Sequence, residues 1–315
     1  KVHIFLYYSC NNNYLAPYYL YKLIINTGDK MKDLNEARRY GVEVEFICSI
    51  SKEHLARIIY QETGIDILCT YYSDKSNKWK LKDDASIRSE VNYGYAMELV
   101  TPILHGEDDM EKLRQVLDIC DTYGKVNRTC GVHVHVDITD EQALPLRRLM
   151  KFFAKYENAI NYLLPQSRRG WENGYCRDSF QDTANLVDVY KYLNGKSLRR
   201  LIDNMYFCGR GKWNFKNYWR HGSIENRAHS GTLNKWKIDS WVRLTQGMVH
   251  VALNNRGETV RQNDTTKTYT TKAFLDNLYK KGGIDRSVKK FYKTRFMELN
   301  SVDDWDRVTK VTRVI

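Results

Sequence analysis

CGVHVHVDI, residues 130–138, sends Val132, Val134 and Val136 to one side of an extended chain and His133, His135 and Asp137 to the other. Successive side chains on a strand alternate between the two faces of a sheet, which gives this stretch one apolar and one ionisable face. GVEVEFICSI (41–50) repeats the pattern, with Val42, Val44 and Phe46 set against Glu43 and Glu45. YAMELVTPIL (95–104) puts Glu98 on a face with Ala96 and Val100, and SIENRAHSG (223–231) puts Glu225, Arg227 and His229 on a face opposite Ile224 and Ala228. One sheet, with a greasy face under helices and a polar face of Glu, His and Arg, satisfies all of them.

Helical spacing predicts the covering layer. Residues 51–63 begin at Ser51, carry Leu55, Ile58 and Ile59, and stop before Gly64. Residues 107–123 open with an acidic turn that complements the helix dipole, and end before Gly124. Residues 140–164 are capped by Thr139 and closed by Pro165, with Pro145 tolerated in the first turns. Residues 234–253 carry a stripe of Trp241, Leu244, Met248 and Val251, and two Lys/Arg-rich patterns follow at 271–281 and 286–299. No internal repeat occurs, which excludes solenoids and propellers.

The chain has 315 residues, 42% hydrophobic and 13% aromatic, enough to bury a substantial core. Mean hydropathy is −0.61 and no apolar run approaches bilayer length. The net charge of +12 attracts polyanions but also suits an ordinary solvated surface. Seven cysteines with no CxxC pair argue against a disulfide framework or zinc ribbon and fit a reducing cytoplasm. Residues 1–30 hold six of 23 tyrosines and read as foreign to the rest. The expectation is that they are an upstream extension and that Met31 is the natural start, the alternative being an ordered Tyr-rich arm.

Residues two apart on a strand lie about 6.6–7 Å apart and face the same way. Carboxylates so placed repel unless a cation lies between them. Glu43 and Glu45, joined by Glu98 or Glu225, make an oxygen-rich set suited to Mg²⁺ or Mn²⁺, and imidazole from His133 or His135 shifts the choice toward Mn²⁺ or Zn²⁺. Taken alone, the Glu-x-Glu pair also suits a solvated strand face, and Arg227 beside Glu225 also suits a structural ion pair. KWKLKDDASI (78–87) reads as a strand and turn ending in Asp83–Asp84, and GRGKWNFKNYW (209–219) as a loop able to cradle phosphate. No P-loop, Rossmann fingerprint, GxSxG or HExxH is present. Cys130 reads as a buried, inert thiol rather than a nucleophile.

In order and wording, GVEVEF, WKLKDDASI, YAMELVTPIL, NRTCGVHVHVDI and IENRAHSGTLNKWKIDSWVRL resemble the amidoligase family, glutamine-synthetase-like carboxylate–amine ligases common in phages and prophages. The resemblance runs from about Gly41 to Val251 and implies an α+β fold, a curved antiparallel sheet whose concave face binds ATP and divalent metal, with helices on the other face. The expected division is a catalytic domain over 31–260 and, outside the resemblance, a basic helical extension, 261–315, packed on it. By the same resemblance Glu43, Glu45, Glu98, His135 and Glu225 are metal ligands. Arg227, with Lys212 and Asn214, meets ATP, and Arg227, His133 and Glu225 carry the chemistry. Residue 226, often aromatic in this motif, is Asn226 here and is expected to face away from the site.

Small-molecule or peptide carboxylates and amines, cell-wall fragments among them, are then the substrates, with no membrane or nucleic-acid partner. Two other readings use the same residues. One is a metal-dependent hydrolase or nuclease on the Glu/His face; the other is a nucleic-acid binder using the Lys280–Lys281 and Lys289–Lys290 pairs.

Overall fold

The computed structural model describes residues 33–71, 74–88, 94–170, 173–178, 186–203, 210–255 and 269–305. Residues 1–30, the expected start at Met31 and the tail beyond 305 lie outside them. The strands are β1 (Tyr40–Cys48), β2 (Ile67–Thr70), β3 (Trp79–Asp83), β4 (Tyr95–Val100), β5 (Gly124–Lys125), β6 (Gly131–Asp137), β7 (Trp213–Asn214) and β8 (Ser223–Ser230). The helices are α1 (Lys52–Thr63), α2 (Gly106–Tyr123), α3 (Ala143–Asn161), α4 (Leu186–Gly195), α5 (Leu198–Asp203), α6 (Asn217–His221), α7 (Lys235–Asn254), α8 (Thr271–Lys280) and α9 (Arg286–Leu299).

The strands form one sheet in the order β2-β3-β4-β1-β6-β8-β7, with β5 pairing the end of β1. β1 is central, bonded to β4 through Glu43–Cys48 and to β6 through Tyr40–Val44. Pairing is antiparallel except at the edge, where β2 and β3 run parallel. The sheet is thus mostly antiparallel, as expected, and the short β2, which carries no readable alternation, takes its parallel direction from tertiary pairing.

Alternation builds the core as the sequence predicts. Val42, Val44 and Phe46 of β1, Met97 and Leu99 of β4, Val132, Val134 and Val136 of β6, and Ile224 of β8 are buried in one cluster. Leu55 and Ile59 of α1, Leu113 and Leu117 of α2, Phe153 of α3 and Trp241 of α7 belong to it too. Each such side chain contributes about 1.5–3 kcal/mol. α8 and α9 form an outer layer: Phe274 lies 5.1 Å from Tyr156 of α3, and Tyr292 lies 6.4 Å from Trp241.

Helix ends follow local chemistry. Ser51 Oγ accepts from His54 N–H at 3.3 Å, and Gly64 ends α1 at φ 72°. Asn234 Oδ1 accepts from the Trp236 and Lys237 N–H groups at the start of α7. Thr139 does not cap α3, which begins at Ala143 after Gln142. Its hydroxyl and its N–H donate instead to Asp137 Oδ1, at 2.7 and 3.0 Å, and this competing turn delays the helix.

One strand face is also corrected. Against β6, the register of β8 steps from Val134↔Asn226 to Val132↔His229, one more residue on β8 than on its partner. Such a bulge shifts the alternation. His229 therefore leaves the face of Glu225 and Arg227 and turns toward the helices, its ring 5.0 Å from that of Trp241. Asn226 braces the bulge, its Oδ1 accepting from Ala228 N–H at 3.1 Å and its amide donating to Thr245 of α7 at 3.0 Å.

Burial pushes the His229 pKa down to about 3, and the neutral ring donates from Nδ1 to the Ser230 carbonyl at 2.7 Å. The unfolded chain protonates this imidazole below about pH 6.5, whereas the folded chain does not. His229 thus favours the folded state fully above that pH, and the contribution is lost progressively as pH falls toward 3. Denaturant titrations from about pH 6.5 down to about pH 4 should show His229→Gln losing stability less steeply than the parent, by up to about 1.4 kcal/mol per pH unit. Equal slopes would contradict the buried, neutral assignment.

Candidate active site

Glu43 and Glu45 leave the central strand on the face away from the apolar core. Glu43 stands opposite His133 on β6, and Glu45 opposite Glu98 on β4. His135 stands opposite Glu225 on β8, Glu225 opposite Asn214 on β7, and Glu98 opposite Lys82 on β3. Directly opposed residues bring their Cβ atoms within about 4.5–5.5 Å. Register alone thus gathers side chains from six strands into one strip.

His133 Nδ1 lies 3.0 Å from Glu43 Oε2 and 3.6 Å from Glu225 Oε1, while its Nε2 lies 3.6 Å from Glu45 Oε1. Glu45 Oε2 accepts the Gly131 N–H at 2.6 Å. Glu98 pairs with Lys82 at 2.5 Å. Glu225 is nearly covered: Oε1 meets Arg227 Nη1 at 2.5 Å, and Oε2 accepts from the amides of Asn214 and Asn217, both at 2.8 Å.

The charges act on one another strongly. Burial alone would raise the Glu43 pKa, but the imidazoles of His135 and His133 hold it well below the usual carboxylate range. Burial opposes a charge on His135, yet Glu43 first, then Glu225 and Glu98, lift its pKa to about 9. Burial and then repulsion by Glu43 push Glu98 up to about 8, against the pull of Lys82. Arg227 keeps its charge in spite of burial because Glu225 adjoins it. Such a cluster accumulates protons when nothing else neutralises it.

Three sets of potential ligand atoms lie within 4.8 Å of one another: Glu43, His135 and Glu225; Glu43, Glu98 and His133; Glu45, Asp84 and Glu98. Glu43 and Glu98 each serve two sets, so the three form one continuous strip. His135 Nε2 is buried without a hydrogen bond, 3.3 Å from Glu43 Oε1. Carboxylate oxygens with one or two imidazoles and an unsatisfied ring nitrogen fit Mg²⁺ or Mn²⁺.

The structure brings together Glu43, Glu45, Glu98, His133, His135, Glu225 and Arg227. Asn214 reaches the strip as a donor to Glu225. Lys212 is wholly buried and its ammonium is ion-paired with Asp178. Residues 213–221 form β7 and α6 rather than an open phosphate loop. Asp84 was legible as half of an acidic pair, but strand parity separates the two: Asp83 turns away to Lys52 at 2.6 Å. Lys82 and Asn217 went unread, although Lys82 shares the parity of Asp84 on a recognised strand. Cys130 is buried against Ile47 and Ile87, and burial raises its pKa, in keeping with an inert thiol.

The family model described as "Putative amidoligase enzyme" matches residues 36–249. A search of curated proteins gives no match. Among solved structures, the chain is similar to one described as a novel glutamine synthase homolog, at 10% identity and a TM-score of 0.39, over 92% of this chain and 73% of that one. The family match takes in every strand of the sheet and the whole acidic strip from Glu43 to Arg227, and on it the chain belongs to the amidoligase family, ligases of the carboxylate–amine type.

Proposed function

We propose that the chain joins a carboxylate to an amine at the expense of ATP, through an acyl phosphate, with small molecules or peptides as substrates. The observation that carries this reading is the strip itself: carboxylates and imidazoles in three overlapping ligand sets, with the Arg227 guanidinium at one end. Near neutral pH both reactants are charged and unreactive, so the carboxylate must first be activated. Glu43, Glu45, Glu98, His135 and Glu225, with Asp84, would hold Mg²⁺ or Mn²⁺. Bound there, the metal supplies positive charge to the oxygens of the transferred phosphoryl group.

Arg227 is oriented for the phosphates by Glu225 at 2.5 Å and by the Tyr175 carbonyl at 3.4 Å. Asn214 and Asn217 hold Glu225 in place, their amides donating to its Oε2. His133, within 3.6 Å of three carboxylates, is proposed to take the proton shed by the attacking amine. Positioning by such a site is worth up to about 7–11 kcal/mol, and no covalent enzyme nucleophile is required.

Phosphate release from ATP with Mg²⁺ or Mn²⁺ should depend on both a carboxylate and an amine from a mixed pool, and mass spectrometry should find the amide. Glu43→Gln, Glu45→Gln and Arg227→Ala should each lower turnover by about 10³-fold or more while leaving circular dichroism unchanged. Unchanged turnover in all three would refute the assignment, and metal-dependent phosphodiester cleavage without ATP would favour a hydrolase. Separately, Mn²⁺ at about 100 times its Kd should raise the thermal midpoint of the parent by about 5 °C. Glu43→Gln, which leaves two ligand sets incomplete, should lose most of that shift.

A further inference from the structure

Arg168 closes the short turn Gln166–Arg168 after Pro165 and is only 4% exposed. A guanidinium is always charged, carries five N–H donors, and is costly to bury without an anion. Among the described residues its partners are both neutral: Nη2 donates to the Cys130 carbonyl at 2.5 Å and Nη1 to Cys176 Sγ at 3.5 Å. Every other arginine or lysine of the strip already has a carboxylate, Lys82 on Glu98 and Arg227 on Glu225.

Gly131 shows where the guanidinium points. A Cβ added to Gly131 would lie 2.7 Å from Arg168 Nη2, 3.2 Å from His133 Nε2 and 3.4 Å from Glu45 Oε2. A Cβ there would collide with the guanidinium, so the missing side chain is what lets this buried cation reach the polar face beside His133 and the Glu45 end of the strip. Arg227 sits on Glu225, and the consecutive residues Tyr175 and Cys176 bond Arg227 and Arg168 in turn, so the two guanidiniums are held by one stretch of chain and, among the described residues, only Arg227 is ion-paired with a carboxylate.

Building on the ligase reading, we infer that Arg168 is the receptor for the substrate carboxylate, held beside the Glu45 end of the strip. A planar guanidinium matches a carboxylate in geometry as well as charge, and its remaining donors suffice for one. Held there, a carboxylate oxygen uses a lone pair to form the bond to the γ-phosphorus of ATP. The bond from that phosphorus to the bridging oxygen breaks, and its electron pair leaves on ADP. Arg168 thereby selects for an anionic acceptor, while Arg227 serves the nucleotide.

The test uses the full chain with Mn²⁺, with ATP as the nucleotide probe and acetate, glutarate and L-glutamate as carboxylate probes. The readout is the ligand-induced shift of the thermal midpoint. Arg168→Gln should keep the nucleotide shift but bind carboxylate about 10- to 100-fold more weakly, as expected when charge-assisted hydrogen bonds are lost. Arg168→Lys should recover part of the loss. Gly131→Ala keeps the arginine but sets a methyl against its guanidinium and displaces it, so it should also weaken carboxylate binding and serves if Arg168→Gln does not fold. Equal loss of nucleotide and carboxylate shifts in Arg168→Gln would make it a phosphate ligand and overturn the inference. An undiminished carboxylate shift in that variant, or no carboxylate shift in the parent, would overturn it as well. Absence of a nucleotide shift in the parent counts against the ATP-ligase reading instead.

Discussion

Glu43 and Glu45 are two residues apart on the central strand, and the geometry of that strand forbids them to separate. Each needs a polar partner nearby, and each neighbouring strand provides part of the answer: the His133 imidazole on one side, Glu98 with its own Lys82 on the other. The compensation is incomplete. Glu98 is driven toward neutrality and His135 toward protonation because carboxylates outnumber the cations that face them. On the proposed reading, a sheet that keeps such a strip largely out of water would draw divalent cations to it, and the chemistry of the site would follow from that affinity.

Keeping the strip in register is the task of the other face. Val42, Val44 and Phe46 cannot move to the polar side without exposing themselves, and a one-residue slip would exchange the two faces entirely. α7 locks this arrangement, being buried along most of its length. Arg243 on α7 bonds Asp239 at 2.5 Å and Glu107 of α2 at 2.7 Å, while Arg114 of α2 reaches the same Asp239 at 2.6 Å. Breaking one member of a buried network of this kind typically costs about 3–5 kcal/mol. Stability on the helical side thus holds the geometry on the polar side.

The alternation of Val with Glu or His in residues 41–46 and 131–137 was legible because a period of two survives in the sequence whatever the tertiary context. It was enough to place Glu43, Glu45, Glu98, His133, His135 and Glu225 on one face. His229 was misread because a bulge is set by pairing between two strands, and nothing in the spacing of one strand reveals it. Lys212 was read as a nucleotide ligand from a loop-like composition, whereas β7 pairing and Asp178 draw its ammonium into the interior. Arg168 was invisible for a different reason: it joins the strip from a turn about 30 residues beyond β6, and only the close approach of its guanidinium to Gly131 discloses it.

The most direct measurement of the central claim follows oxygen. With the acceptor carboxylate labelled with ¹⁸O and the reaction run in unlabelled water with ATP and Mn²⁺, an acyl phosphate requires that each amide formed send one labelled oxygen into inorganic phosphate. Labelled phosphate in step with amide is the predicted result. Amide formation or ATP hydrolysis that leaves the phosphate unlabelled would contradict activation of the carboxylate at this strip.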